Sequence, residues 1–160
     1  MKPINIGLFG FGCVGQGLYE TINNSNNFTG EIKKICIKQP DKHRSLAKQL
    51  FTTDAASLIN DAEIDIIVEL IDDAETAKQI VINSLRAGKS VVTANKKMIA
   101  ENLEELVCIQ EETGKAVLYE GAVCGSIPII RSLEEYFGHE PLTEIKGIFN
   151  GSTNYILTQL

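Results

Sequence analysis

Several features that would assign a chain to a special class are absent from these 160 residues. No apolar stretch approaches about 18 residues, the length that a membrane-spanning helix needs, and no charged head with a following apolar run marks a leader. The net charge of −6 is spread over interleaved acids and bases, so no basic surface would steer the chain toward nucleic acid or anionic lipid. We therefore predict a cytoplasmic protein that acts on a small-molecule substrate, with no nucleic acid and no membrane as partner.

The cysteines are too scattered to form a zinc or redox motif. No two of them are separated by the two-residue gap that such motifs use, as their positions show: Cys13, Cys36, Cys108 and Cys124. We predict reduced thiols that are buried as small hydrophobic side chains, which fits a reducing compartment.

Short apolar runs alternate with helix-length segments along most of the chain. Residues 4–9 form the first predicted strand, and helix-period apolar positions follow in residues 14–22. The remaining predicted strands are residues 32–37, 51–53, 64–71, 90–93 and 116–119, and the remaining helices are residues 76–87 and 97–113. Strands that recur between helices imply parallel pairing through right-handed crossovers. The predicted fold class is α/β, a doubly wound parallel sheet of the Rossmann type.

The last predicted helix of this alternation has a clear apolar face. We expect six of its side chains to share the buried side: Met98, Ile99, Leu103, Leu106, Val107 and Ile109. The chain after it follows a different pattern, a short α+β appendage. Pro128 begins a predicted helix through Tyr136, residues 144–149 alternate like a half-exposed strand, and Ser152 could cap a helix that runs to Leu160.

A full G-x-G-x-x-G motif lies between the first strand and the first helix, the context in which it binds a dinucleotide. The first glycine bends the chain, the second lets backbone N–H groups approach a pyrophosphate, and the third lets helix and strand pack closely. The helix N-terminus then faces the anion. The predicted cofactor-binding residues of this turn are Gly10, Phe11, Gly12, Cys13, Val14 and Gly15.

The end of the second strand distinguishes the two nicotinamide cofactors. An acidic residue there would bind ribose hydroxyls and repel a 2′-phosphate, but this chain has Lys38, with Lys42, His43 and Arg44 close behind. The positive charge suits a phosphate, so we predict binding of NADP in preference to NAD. Lys42, His43 and Arg44 could equally form a solvated basic turn.

Three later segments, together with the glycine turn, closely resemble homoserine dehydrogenases, in that family's order and spacing. They are residues 92–96 (VTANK), residues 119–128 (YEGAVCGSIP) and residues 147–157 (GIFNGSTNYIL). The resemblance spans essentially the whole chain. It implies reversible hydride transfer between NAD(P)H and the aldehyde carbon of aspartate 4-semialdehyde, which gives homoserine on the route to threonine, methionine and isoleucine.

The resemblance also implies roles for individual residues. Lys96 matches the family's active-site lysine on the cofactor side, and Thr93 and Asn95 beside it are expected to contact the cofactor. A lysine after a strand's carboxyl end lies where open parallel sheets bind ligands, and it could hold a cofactor oxygen or stabilise an oxyanion on the substrate. Gly151 and Ser152 match the substrate-binding segment, in which serine replaces the family's threonine and keeps its hydroxyl.

A second loop resembles the family's site for a monovalent cation such as Na+. Glu120 would supply a carboxylate, and Val123, Gly125 and Ile127, which match the same loop, would supply backbone carbonyls. A shell made only of oxygen atoms suits a hard ion and not zinc, and the ion would brace the junction between two domains. Glu120 could equally be a surface or helix-cap acid.

The chain departs from the family after the fourth strand. Ile71, Asp72 and Asp73 stand where the family often has two glycines, and two carboxylates would repel a bound dinucleotide unless they point to solvent or bind ribose hydroxyls. Glu69, in the preceding strand, matches a family glutamate and could serve either the site or a structural ion pair.

The resemblance implies a division into residues 1–130, an NAD(P)-binding domain, and residues 131–160, the truncated start of the catalytic domain. Such a piece should bind cofactor without turnover. The start at Met1 predicts no aspartate kinase upstream, and the parent enzyme is expected to be a homodimer or homotetramer.

Two other interpretations are open from the sequence. Aspartate-semialdehyde dehydrogenase also begins with a glycine turn, but it needs a nucleophilic cysteine, for which only Cys124 is loosely placed. A free-standing NAD(P)-sensing or dimerising module would use an exposed strand edge and no catalysis.

Overall fold

The computed structural model describes residues 3–26, 28–42, 46–125, 127–139, 141–147 and 158–159. The chain forms two compact units, Met1–Tyr119 and Glu120–Leu160. Within the described residues, no helix has both the length and the apolar character needed to cross a membrane.

The first unit is built on a six-stranded parallel sheet. The strands are β1 (Ile4–Phe9), β2 (Gly30–Cys36), β3 (Phe51–Thr52), β4 (Ile66–Glu69), β5 (Ser90–Thr93) and β6 (Val117–Leu118). They lie in the order β3-β2-β1-β4-β5-β6, and every neighbouring pair is parallel. The strand order reverses between β1 and β4, as in dinucleotide-binding sheets. The predicted doubly wound α/β fold is therefore confirmed.

Helices connect the strands. They are α1 (Cys13–Asn24), α2 (Ala56–Ile59), α3 (Ala74–Arg86) and α4 (Lys96–Thr113), with a 3-10 turn at Lys48–Leu50. Gly88 and Gly114, both with positive φ, follow α3 and α4 where the sequence predicts their ends. The core lies around the central strands, where Leu8, Ile67 and Val91 are completely buried. Full burial of such a side chain stabilises the fold by about 1.5–3 kcal/mol.

The buried face of α4 differs from the prediction. Leu103 and Val107 are 39% and 40% exposed, so placing them on the buried face was wrong. The inward position between Met98 and Leu106 belongs instead to Asn102, which is half-buried and donates to the Met98 carbonyl at 2.9 Å. Both apolar exceptions follow an inward residue by one position, which rotates them about 100° away from the sheet.

The predicted strand boundaries were less accurate than the strands themselves. β4 spans four residues where residues 64–71 were predicted, and β6 spans two where residues 116–119 were predicted. Apolar runs extend beyond the residues that pair in the sheet: Ile64, for example, is buried but lies two positions before β4 begins.

The second unit contains a 3-10 turn at Glu120–Ala122 and one longer helix, α5 (Ile129–Phe137), among its described residues. The helix predicted after Pro128 is present and ends one residue later than expected. Of the helix predicted from Ser152 onward, only Thr158 and Gln159 are described, and both are helical.

The strand predicted at residues 144–149 is wrong over its described part. Residues 141–147 are exposed and have no regular secondary structure. Alternating polarity produces a strand only where a neighbouring strand pairs with it, and the described residues of this unit include no such partner. Residues 148 and 149 lie outside the described residues.

The cysteines are free thiols as predicted, but their predicted burial is wrong for two of them. Cys13 and Cys108 are exposed, while Cys36 and Cys124 are half-buried. Cys13 lies on the first turn of α1 and Cys108 on the outer side of α4, where no layer covers them. Burial raises the pKa of the Cys36 thiol, and the negative charge of Asp54 adds to the shift.

Candidate dinucleotide site at the carboxyl edge of the sheet

Loops that follow four strands meet at one edge of the first unit, since the carboxyl ends of parallel strands lie together. The sheet register aligns the last residues of these strands: Phe9, Cys36, Glu69 and Thr93. The glycine turn follows the first of these residues, Lys38 lies two positions beyond the second, and Lys96 lies three beyond the last. The predicted cofactor residues of the first unit are therefore brought to one edge.

The three glycines of the turn have different surroundings. Gly10 has a φ of +91°, and a Cβ there would lie 2.6 Å from the Leu70 carbonyl oxygen. A Cβ at Gly15 would lie 2.6 Å from the Gly10 carbonyl oxygen. A Cβ at Gly12 would meet nothing within 4 Å. Gly10 and Gly15 thus allow close backbone packing, whereas Gly12 lies beneath open space.

The N-terminus of α1 borders that open space. Gly12 is its N-cap residue, no side chain caps the helix, and the first turn contains no acidic residue. The first N–H groups of a helix have no partner within it and lie at the positive end of its dipole. This end of α1 therefore has the donors and the polarity that an anionic group requires.

Lys38 is exposed immediately beyond β2, as predicted. Across the edge, Asp73 caps α3 by accepting the Thr76 amide at 2.9 Å and the Thr76 hydroxyl. These bonds lower the pKa of Asp73, and the positive charges of Lys38 and Lys97 lower it further. Asp73 therefore caps its own helix. Of the two adjacent carboxylates that were expected to repel a bound dinucleotide, this one is already hydrogen-bonded within α3. An aspartate directly before a helical stripe is a capping signal that the sequence already contained.

Lys96 is exposed and is the first residue of α4. Lys97 follows it, and the first turn of α4 has no acidic residue. Cations near a helix N-terminus are unfavourable to the helix itself. The exposed pair of Lys97 with Glu101, at 3.8 Å, offsets little of this. The positive potential that results favours an anionic ligand at this position.

Thr93 and Asn95 lie beneath the surface of the edge, being 1% and 8% exposed. The Asn95 Oδ1 atom accepts the Met98 amide at 3.0 Å and so caps α4. Its Nδ2 atom donates to the Ile71 carbonyl at 3.0 Å. The structure thus uses the Asn95 side chain to hold the turn that carries Lys96.

Glu69 is completely buried at the end of β4. It accepts the Thr93 hydroxyl and the Ile71 amide, each at 2.6 Å. Burial raises the pKa of Glu69 and the charge of Asp72 adds to this, although the two hydrogen bonds act in the opposite direction. No described residue forms an ion pair with Glu69, so the structural ion pair that the sequence left open is absent there.

A cavity of about 880 Å³ lies beside the end of β2 and was not predicted. Its walls include apolar and polar side chains from the connection between β2 and β3 and from the start of β3: Ile37, Pro40, Lys42, Leu46, Lys48 and Phe51. The Phe51 ring also packs edge-to-face against Phe11 of the glycine turn, with 5.4 Å between ring centroids. The cavity therefore adjoins the same edge of the first unit.

Glu120 caps α5 in the second unit, one of the alternatives that the sequence left open. Its two carboxylate oxygens accept the amides of Ile130 at 3.1 Å and Arg131 at 3.0 Å. Two further backbone bonds fold the loop: the Val123 amide donates to the Glu120 carbonyl at 3.0 Å, and the Ile127 amide to the Cys124 carbonyl at 3.2 Å. A carboxylate has about four acceptor sites, so a cation could still share Glu120. The described residues include no cluster of three acidic, cysteine or histidine side chains that could hold a metal.

Comparison with known proteins decides the family. Residues 10–120 match the family model described as homoserine dehydrogenase, NAD binding domain. The chain belongs to the homoserine dehydrogenase family. Residues 128–160 match a further model, described as homoserine dehydrogenase.

Curated homoserine dehydrogenases match essentially the whole chain. The protein from Bacillus subtilis is 37% identical over 100% of this chain and 39% of its own length. That from Helicobacter pylori is 36% identical over 99% of this chain and 39% of its own. The chain thus spans about 39% of the length of these homoserine dehydrogenases.

A solved homoserine dehydrogenase from Thiobacillus denitrificans has the same fold, with a TM-score of 0.84 and 38% identity over 99% of this chain and 38% of that one. The resemblance drawn from the motifs and the NAD-binding Rossmann domain are therefore confirmed, and aspartate-semialdehyde dehydrogenase is not supported. Four of the predicted residues, His43, Arg44, Gly151 and Ser152, lie outside the described residues. Their roles, like those of the other predicted site residues, stay predictions.

Proposed function

We propose that the chain is the cofactor-binding part of an enzyme that interconverts homoserine and aspartate 4-semialdehyde with NADP. The observation that carries the proposal is the uncapped N-terminus of α1 beneath the open space at Gly12. Together with membership of the homoserine dehydrogenase family, it supports a dinucleotide whose pyrophosphate lies at this helix end.

In the proposed arrangement, the cofactor extends along the edge from the glycine turn to the end of β2. The pyrophosphate would accept hydrogen bonds from the N–H groups of the first turn of α1. Lys38, which is exposed beyond β2, would pair with a 2′-phosphate, which favours NADP over NAD. The cavity next to Phe51 offers a partly apolar wall for the adenine end.

Lys96 would be the catalytic residue of this chain. The nicotinamide, when bound, supplies or accepts the hydride. Lys96, exposed at the positive end of α4, would hold a cofactor oxygen or stabilise negative charge on the substrate oxygen. Thr93 and Asn95 keep that turn in place from beneath.

The other predicted parts of the site complete the proposal. Gly151 and Ser152 would bind the amino-acid substrate. Glu120, with Val123, Gly125 and Ile127, would hold a monovalent cation such as Na+ in a structural role. A cytoplasmic location and a homodimeric or homotetrameric parent enzyme also remain predictions.

The test uses the purified 160-residue chain and a version joined to the C-terminal part of the Bacillus subtilis relative, called here the completed enzyme. NADPH fluorescence should report binding by the chain, which should not reduce NADP with homoserine. The completed enzyme should reduce NADP with homoserine.

Two charge variants of the completed enzyme locate the chemistry. Lys96→Ala should lower kcat at least about 10-fold, because one charged contact to a reacting group is worth about 1.5–3 kcal/mol. Arg86→Ala removes an exposed cation at the other end of α3 and should leave kcat unchanged. Steady NADP reduction by the 160 residues alone, or a folded completed enzyme that does not oxidise homoserine, would overturn the proposal.

A further inference from the structure

Glu69 is a costly residue for its position. The other residues of β4 are apolar, and a carboxylate with no exposed surface loses its hydration unless hydrogen bonds replace it. Apolar side chains at positions 69 and 93 together would fill the same space without burying a charge. The carboxylate must therefore do something that packing alone does not require.

Its hydrogen bonds belong to a closed ring of four residues. The Ile71 amide donates to Glu69 Oε1 and the Thr93 hydroxyl donates to Glu69 Oε2, both at 2.6 Å. The Asn95 amide donates to the Thr93 hydroxyl oxygen at 3.1 Å, and the Asn95 Nδ2 atom donates to the Ile71 carbonyl at 3.0 Å. The ring connects the loop after β4 to the loop after β5. Lys96 directly follows Asn95, the last residue of the ring.

The direction of the bonds depends on the carboxylate. A threonine hydroxyl has one proton, and Thr93 donates it to Glu69, so its oxygen is free to accept the Asn95 amide. A glutamine at position 69 that still accepted the Ile71 amide would turn its NH2 group toward Thr93. The hydroxyl oxygen would then face two donors and its own proton would have no acceptor in the ring, so the turn before Lys96 would have to shift.

We propose that Glu69 is a positioning residue, which sets the location of Lys96 through the ring of hydrogen bonds with Ile71, Thr93 and Asn95. The proposal rests on the proposed function, because it assigns Glu69 a task in that reaction. Glu69 itself touches no ligand, since none of its surface is exposed. A displacement of about 1 Å in a group that positions the reacting atoms can cost on the order of 100-fold in rate.

The experiment compares kcat and KM in the completed enzyme. Glu69→Gln and Thr93→Val should each lower kcat by about 10- to 100-fold, with the KM for NADP changed less than about threefold. Thr93→Ser restores the hydroxyl and should recover most of the kcat lost by Thr93→Val. Ile67→Val, in the same buried strand, lowers stability without touching the ring and should leave kcat unchanged.

The decisive comparison places Glu69→Gln in the Lys96→Ala background. If Glu69 acts through Lys96, the second substitution should change the residual kcat by less than about twofold, while still changing the urea midpoint. An equal kcat loss in both backgrounds, or wild-type kcat in folded Glu69→Gln and Thr93→Val, would overturn the inference. These outcomes differ from failure of the proposed function, in which the unmodified completed enzyme does not oxidise homoserine. If Glu69→Gln fails to fold, the same cycle with Thr93→Val and Thr93→Ser decides.

Discussion

Replacing Gly12 by alanine should separate cofactor binding from folding. A Cβ at Gly12 meets no atom within 4 Å, and the backbone there, with φ −82° and ψ −158°, is one that alanine adopts. Alanine is a poorer N-cap than glycine by about 0.5–1 kcal/mol. The less flexible unfolded chain offsets this by about 0.4–1 kcal/mol. The free energy of unfolding should therefore change by less than about 0.5 kcal/mol.

The same methyl group should obstruct the pyrophosphate. It projects into the open space at the N-terminus of α1, where the anion would have to approach the first amides. Loss of two hydrogen bonds to a charged group, each worth about 1.5 kcal/mol or more, amounts to about 3 kcal/mol. The Kd for NADPH should rise about 100-fold.

Gly15→Ala provides the matched comparison within the same motif. Its Cβ would lie 2.6 Å from the Gly10 carbonyl oxygen, a backbone clash that should lower stability by about 1–3 kcal/mol. Urea unfolding measures stability, and NADPH fluorescence measures binding in the same samples. A folded Gly12→Ala protein that binds NADPH within about threefold of the unmodified chain would refute the reasoning.

Three other predictions concern charge and exposure. Burial raises the pKa of Glu69 above its ordinary 4.5, so the carboxyl group binds a proton more tightly in the folded chain than in the unfolded chain. Protonated Glu69 therefore stabilises the fold at low pH. This stabilisation is lost as the pH rises from about 4.5 through the folded-state pKa. Glu69→Gln should lack that decline in urea unfolding at several pH values, and parallel declines in both proteins would contradict this. Iodoacetamide should modify Cys13 and Cys108, which are exposed, before Cys36, whose pKa is raised by burial. Mass spectrometry at successive times measures the order of labelling, and labelling of Cys36 before the other two would contradict the prediction. Lys38→Glu should weaken NADPH binding at least about 10-fold and NADH binding less than about threefold, while an equal loss for both cofactors would count against the 2′-phosphate contact.

The architecture of the first unit could be predicted from the sequence because its signals are local. Apolar runs alternate with helical stripes, and the glycine motif lies between a strand and a helix, so each segment indicates the same fold. The prediction failed where a partner decides the outcome. Residues 144–147 have the polarity of a strand, but no described strand pairs with them, and Leu103 lies one step round α4 from the inward face.

The hydrogen bonds that hold the site in place could be predicted only in part from the sequence. Asp73 and Asn95 directly precede helices, where a capping role is readable from residue type and position. The bond between Glu69 and Thr93 joins residues 24 positions apart, and no local pattern indicates it. Only the parallel register of β4 and β5 places these two residues side by side.

The most direct test of the central claim is an amide correlation NMR spectrum of the isotope-labelled chain during titration with NADPH. If the pyrophosphate lies at the N-terminus of α1, the amide signals of Gly12, Cys13 and Val14 should shift progressively and saturate. Those of Asp65 and Lys89, at the amino ends of β4 and β5, should stay in place. Saturable shifts at Asp65 and Lys89, with none at the glycine turn, would contradict the account.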